Sequence, residues 1–226
     1  MKKLFLLLLL LTGFIVLNAQ NIRFGVTAGA SIASAKGKTE GVSITSDSKV
    51  GFTGGVLVDI PLADQFAFQP GLNFLQKGSK FNINILGVQI DGKETLNYLE
   101  LPLNFLFRTE AGSGKFFVGL GPVLGLGLSG KGEDKSTFNG QTIEEKYDVE
   151  FGTDVNTDHY KPFEFSGNVL AGYEFGNGIF IAVNYNLGIS NIAVVDNTDN
   201  TTYRNRYFGI RLGYLFGGNA NKSNGK

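Results

Sequence analysis

His159, the single histidine of the chain, follows Asp158, and a histidine beside a carboxylate is the pairing that acid–base chemistry uses. To hydrolyse anything it would need an activated hydroxyl, and the candidates Ser129 and Ser190 sit in no recognisable nucleophile motif. Glu100 has no nucleophile or base placed beside it. The segment from Ser129 to Pro162 carries Glu133, Asp134, Glu144, Glu145, Asp148, Glu150, Asp154 and Asp158, oxygens of the kind that bind calcium, but without the Asp-x-Asp-x-Asp-Gly spacing of a calcium loop. Having no cysteine, the chain has no disulfide, thiolate metal site or cysteine nucleophile. Twenty Lys and Arg balance 20 Asp and Glu with no basic stretch, which speaks against nucleic acid. No enzyme activity, cofactor or metal is expected; a hydrolase centred on His159 ranks last among the readings.

Those side chains must be held by something other than helices. Lys2 and Lys3 precede an apolar run from Leu4 to Leu17, too short for the roughly 20 residues of a spanning helix, so residues 1–19 read as a secretory signal peptide cleaved after Ala19. Beyond it the hydrophobic period is two throughout, the mark of strands with unlike faces. Eight such segments begin near Ile22, Val50, Phe66, Tyr98, Lys115, Phe163, Ile179 and Tyr207. At 11 to 14 residues each they exceed ordinary globular strands and suit tilted membrane crossings. Connections alternate short (Pro61 to Gln65, Thr109 to Gly114, Gly176 to Gly178) and long. The expected fold is all-β: an eight-stranded antiparallel up-and-down transmembrane β-barrel over residues 20–216, with a periplasmic tail at 217–226.

Alternation alone cannot say which face is outside, and a soluble carrier with an apolar cavity is the competing reading. The polar face decides, because it is mostly Gly, Ser, Thr and Asn, whereas a soluble exterior carries about 25–35% charged residues. On the apolar face Phe24, Phe66, Phe68, Phe105, Phe107, Phe116, Tyr173, Phe175, Tyr214 and Phe216 cluster toward the short turns, as an interfacial girdle would. Arg23, Asp59, Lys77, Glu100, Arg108, Lys115, Glu164, Glu174, Arg206 and Arg211 are assigned to the lumen, six bases against four acids forming a charge network that plugs it. Pro102 should distort its strand, and Gly78 should mark a bulge, since Phe81, Ile83 and Ile85 continue the alternation on odd positions after even ones. Asn139-Gly140 and Asp91-Gly92 are turn dipeptides, suggesting hairpins that outrun the membrane.

A signal ending Asn18-Ala19-Gln20, the segment Tyr98-Leu99-Glu100-Leu101-Pro102-Leu103 and a last strand ending Tyr214-Leu215-Phe216 together resemble the PorT-type outer-membrane β-barrel family across the mature chain. The resemblance implies a Gram-negative outer membrane and insertion by the barrel assembly machinery reading the final strand. It also implies a link to protein secretion for one class of members. Gly217 to Lys226 depart from the pattern by following Phe216. The expectation is a monomer in outer-membrane lipid, acting as a structural or interaction protein through exterior loops or periplasmic partners. A narrow small-solute conduit is the alternative.

Overall fold

The computed structural model describes residues 22–195 and 200–217; the expected signal peptide and all but Gly217 of the expected tail lie outside them. Ten antiparallel strands form one sheet: β1 (Arg23–Thr39), β2 (Val42–Thr45), β3 (Asp47–Pro61), β4 (Phe66–Ile85), β5 (Val88–Ala111), β6 (Gly114–Phe138), β7 (Gln141–Val149), β8 (Phe163–Glu174), β9 (Ile179–Gly188) and β10 (Thr202–Phe216). The eight expected segments are all present; β2 and β7 are additional. The path β1-β3-β4-β5-β6-β8-β9-β10 returns to its start, since β10 also pairs with β1 from Phe24↔Phe216 to Lys38↔Thr202.

Alternation is written into burial along every member of that path. In β9 each odd residue from Ile179 to Leu187 is exposed and each even one from Phe180 to Gly188 is buried. The ten girdle aromatics occupy outward positions near the short turns, where several pair: Phe68 with Phe105 at 5.0 Å, Phe66 with Phe107 at 5.5 Å, and Tyr173 with Phe175 at 4.9 Å.

At the opposite end the sheet outgrows the ring. β4, β5 and β6 run to 20, 24 and 25 residues, and left-handed pairs at Glu40-Gly41, Leu86-Gly87 and Asn139-Gly140 turn the hairpins. Asp91-Gly92, expected as a turn, lies instead within β5. Gly92 faces Phe81 across the ladder, and a Cβ there would collide with that ring. Gly78 does mark a one-residue shift, but only toward β3, between Ser48 and Thr53; toward β5 the register is unbroken from Asn73↔Glu100 to Ile85↔Val88. Phe81 and Ile83 therefore stay in phase with the inward Lys77 and Ser79. Above the ring it is the inner face of the sheet that becomes apolar. At Pro102 the ladder to β4 lapses between Pro70↔Leu103 and Asn73↔Glu100, then resumes in the same register.

Candidate functional site

The enclosed face is layered, and β8 gives the order from the short turns upward: Glu174, Gly172 and Leu170, Asn168, Ser166, Glu164. At the floor, Asp59 receives both Arg23 (Nη2 to Oδ2, 2.7 Å) and Arg108 (Nη1 to Oδ2, 3.0 Å), and Arg23 also ion-pairs with Glu174. Above lies an apolar tier of Leu57, Phe117, Phe180, Ala182 and Leu215, with Leu170 packed against it and the two phenyl rings edge-on at 6.3 Å. Next comes an amide chain, Asn184 donating to Asn168 (2.9 Å) and Asn168 to Asn104 (3.0 Å).

The upper tier centres on Lys77, with 1% of its side chain exposed, whose ammonium meets Glu164 at 2.9 Å and Glu100 at 3.0 Å. Its Nζ also stands 4.4 Å from the centroid of the Tyr98 ring. Glu100 accepts from the Tyr207 hydroxyl (2.8 Å) and Glu164 from the Asn205 amide (2.9 Å). Arg211 donates to Tyr207 Oη at 3.3 Å, completing a group in which every charge has a polar partner.

Two residues assigned to this network stand outside it. Lys115 has the inward phase but lies beside the two-residue turn, paired at 3.2 Å with Glu110 where 47% and 77% of the two side chains are exposed. Arg206 alternates with the buried Tyr207 and so points outward, its Nε donating to Ser34 Oγ at 3.1 Å. The remaining eight are four bases and four acids, so the set balances. Residues not singled out by alternation also face inward: Leu57, Phe117, Phe180 and Leu215 of the apolar tier, and the buried Lys49 near the register shift.

Above Tyr98 the inner face is aromatic. Leu96, Tyr98 and Val149 pack with Tyr147, Phe151 and Tyr160, and beside them a cavity of about 560 Å³ is lined by Phe81, Ile83, Tyr147, Tyr160, Tyr203 and Glu94, among others. Tyr160 Oη donates to Glu94 at 3.0 Å and its ring lies 4.9 Å from that of Tyr203. Burial, with the nearby Asp134 charge, pushes the Glu94 carboxyl from its ordinary 4.5 up to about 7, even though the Tyr160 hydrogen bond opposes the shift. An acid whose folded pKa is raised costs nothing below its unfolded value, where both states are neutral. The cost grows as pH rises from about 4.5 and is complete above about 7, reaching about 3 kcal/mol at most. Glu94→Gln is accordingly expected to slow hydrogen exchange in β7 and around Tyr160 at pH 8 and to leave it unchanged at pH 4.

His159 and Asp158 do not pair. His159 Nδ1 accepts from the Glu150 amide at 3.1 Å with its ring stacked on Tyr147, and Asp158 Oδ2 accepts from the Asp154 amide at 2.7 Å. Ser190 exchanges hydrogen bonds with the Phe165 backbone, and Ser129 accepts from Asn97. Much of the acidic segment is the β6–β7 hairpin, where Lys135 bridges Glu133 and Glu144, and Lys146 pairs with Glu144 at 2.6 Å across 70% and 38% exposed side chains, worth little to stability. Among the described residues no three His, Asp or Glu side chains converge to hold a metal.

Long strands, an apolar outer face and an enclosed face of paired charges define a β-barrel protein of the outer membrane. Residues 18–194 match the outer membrane protein beta-barrel domain, and the chain belongs to that family, whose place is the outer membrane. No curated protein matches. Similar solved structures include Ail, the attachment invasion locus protein of Yersinia pestis, at 18% identity over 86% of this chain and 98% of that one, with a TM-score of 0.40. OprG from Pseudomonas aeruginosa is similar at 14% identity, 87% and 97% coverage and a TM-score of 0.44. The outer membrane protease OmpT from Escherichia coli is similar at 11% identity, 87% and 97% coverage and a TM-score of 0.30.

Proposed function

We propose that the chain is a closed eight-stranded transmembrane barrel of a Gram-negative outer membrane. It is delivered by a signal peptide at residues 1–19, inserted by the barrel assembly machinery, and oriented with the short turns in the periplasm and the long hairpins outside. It works as a monomeric structural or interaction protein, not an enzyme, presenting its exterior hairpins to a protein partner. A place in a PorT-type secretion system agrees with the Tyr98 to Leu103 segment. The observation that carries this reading is the filled interior: two ionic tiers and an apolar tier leave the walls and the hairpins as the surfaces available for work. On a gel the refolded protein is expected to migrate faster unboiled than boiled, to give no steady openings in planar bilayers, and to lose its partner when residues 130–149 are replaced by a short turn. Unchanged partners after that replacement would remove the interaction role.

One observation favours a narrow conduit instead. Thr27 Oγ1, Asn184 Oδ1, Asn186 Oδ1 and Arg211 Nε are buried in the middle of the interior without a hydrogen-bond partner, polar atoms of the kind that a file of water satisfies. Discrete openings from the wild-type protein would promote that reading.

A further inference from the structure

Charge is distributed unevenly around the wall. The four neighbouring strands β2, β1, β10 and β9 contain no Asp or Glu, yet β1 and β10 carry six cations. Arg23 and Arg211 face inward and are held there by Asp59, Glu174 and Tyr207. The other four, Lys36, Lys38, Arg204 and Arg206, share the upper end of the β1–β10 seam, in phase with the outward Ile32 and Phe208. Lys36 stands directly opposite Arg204, and Arg206 opposite Ser34, its only polar contact among the described residues. None of the four has an ion pair among the described residues. Like charges facing one another across a ladder oppose the pairing that brings them together, so an anion placed between Lys36 and Arg204 would relieve that repulsion.

The height of the seam says which anion could stand there. Ile32 and Phe208 end the apolar outer wall on these strands, at 41% and 39% exposure. Lys36 follows Ile32 by four residues, which at about 3.3 Å per residue and a tilt of about 40° is roughly 10 Å beyond the last apolar side chain. Arg206 is closer, and long basic side chains reach back toward an interface. Guanidinium groups donate paired N–H bonds to phosphate oxygens, and an ammonium adds a point charge.

We infer that the upper β1–β10 seam is a binding site for the phosphate headgroup of an outer-leaflet lipid, its acyl chains lying against Ile32, Ile210 and Phe208 and its phosphate held by Lys36, Arg204 and Arg206, with Lys38 above. The inference rests on the membrane orientation proposed above.

The test uses the full mature chain refolded in phosphatidylcholine vesicles with and without added phosphatidic acid, followed by native mass spectrometry of the extracted protein. Wild-type protein is expected to retain phosphatidic acid in preference to phosphatidylcholine and to uncharged diacylglycerol. Combining Lys36→Gln, Arg204→Gln and Arg206→Gln should lower that retention on the order of a hundredfold, each cation near a membrane surface contributing several-fold, without altering the heat-dependent gel shift. Equal retention by a triple variant that still shifts on the gel would overturn the inference alone. Displacement of the lipid by millimolar inorganic phosphate would also overturn it, because the seam would then read free anions. A chain that never shifts in any vesicle would remove the membrane reading and this inference with it.

Discussion

Replacing Lys77 with methionine is expected to lower the stability of the folded barrel by about 3–5 kcal/mol, the cost of breaking a buried ion pair from one side. Against a total of about 5–15 kcal/mol, that is enough to shift a urea titration of the heat-dependent gel mobility to visibly lower denaturant. Lys77 is shared by two carboxylates, and Glu100 and Glu164 are each only 1% exposed at the side chain. Without the ammonium they face one another with neutral donors such as the Tyr207 hydroxyl and the Asn205 amide, and no cation between them. Methionine fills much the same volume, so the loss is electrostatic and not a packing defect. A triple change adding Glu100→Gln and Glu164→Gln removes the orphaned charges while keeping acceptors for Tyr207 and Asn205, and should recover most of the stability. A single variant with the wild-type midpoint would show that the tier does not hold the barrel together.

The second large effect is expected from Phe117→Ala combined with Phe180→Ala. Each ring is 5% exposed, and together they form the centre of the apolar tier between the Arg23–Asp59–Arg108 floor and the asparagine chain. A buried Phe→Ala change costs about 3–5 kcal/mol, and because these rings touch, the pair should cost less than the sum. The opening matters more than the stability. Polar atoms lie above and below this tier, so removing its rings joins two wettable regions, and discrete currents should appear in planar bilayers where the parent gives none. Continued silence from the double variant would assign the seal to the ionic tiers.

Much of this arrangement was legible in the alternation. All eight ring strands and the two unlike faces follow from period two, because a strand wall between unlike environments must repeat that way. Eight of the ten assigned lumen charges are where phase puts them. Arg206 was legible too, since a residue beside the inward Tyr207 must point outward; Lys115 has the right phase and fails only because the strand ends in solvent. The apolar tier was hidden for another reason. In Phe116-Phe117-Val118 both faces are apolar, so alternation carries no signal and only position in the ring separates Phe117 from its neighbours. The odd-numbered apolar residues Phe81 and Ile83 show the converse case: the strand keeps its register with β5, and what changes along it is the polarity of its inward face, from Lys77 and Ser79 to Phe81 and Ile83. The pairings of Lys77 with Glu100 and Glu164 join β4, β5 and β8, and such convergence depends on the curvature of the wall, which no single strand records.

The seam between β1 and β10 joins the two ends of the path, with fifteen residue pairs between segments that begin at Arg23 and Thr202. Contacts so distant in sequence form slowly, since the chain between them must be ordered first. β10 also supplies Tyr207 and Asn205 to the carboxylates around Lys77, so the upper tier lacks two of its donors until the last strand docks. The strand that closes the wall against β1 is thus also the one that completes the hydrogen bonding of the buried carboxylates, so closure and interior satisfaction are coupled in one element.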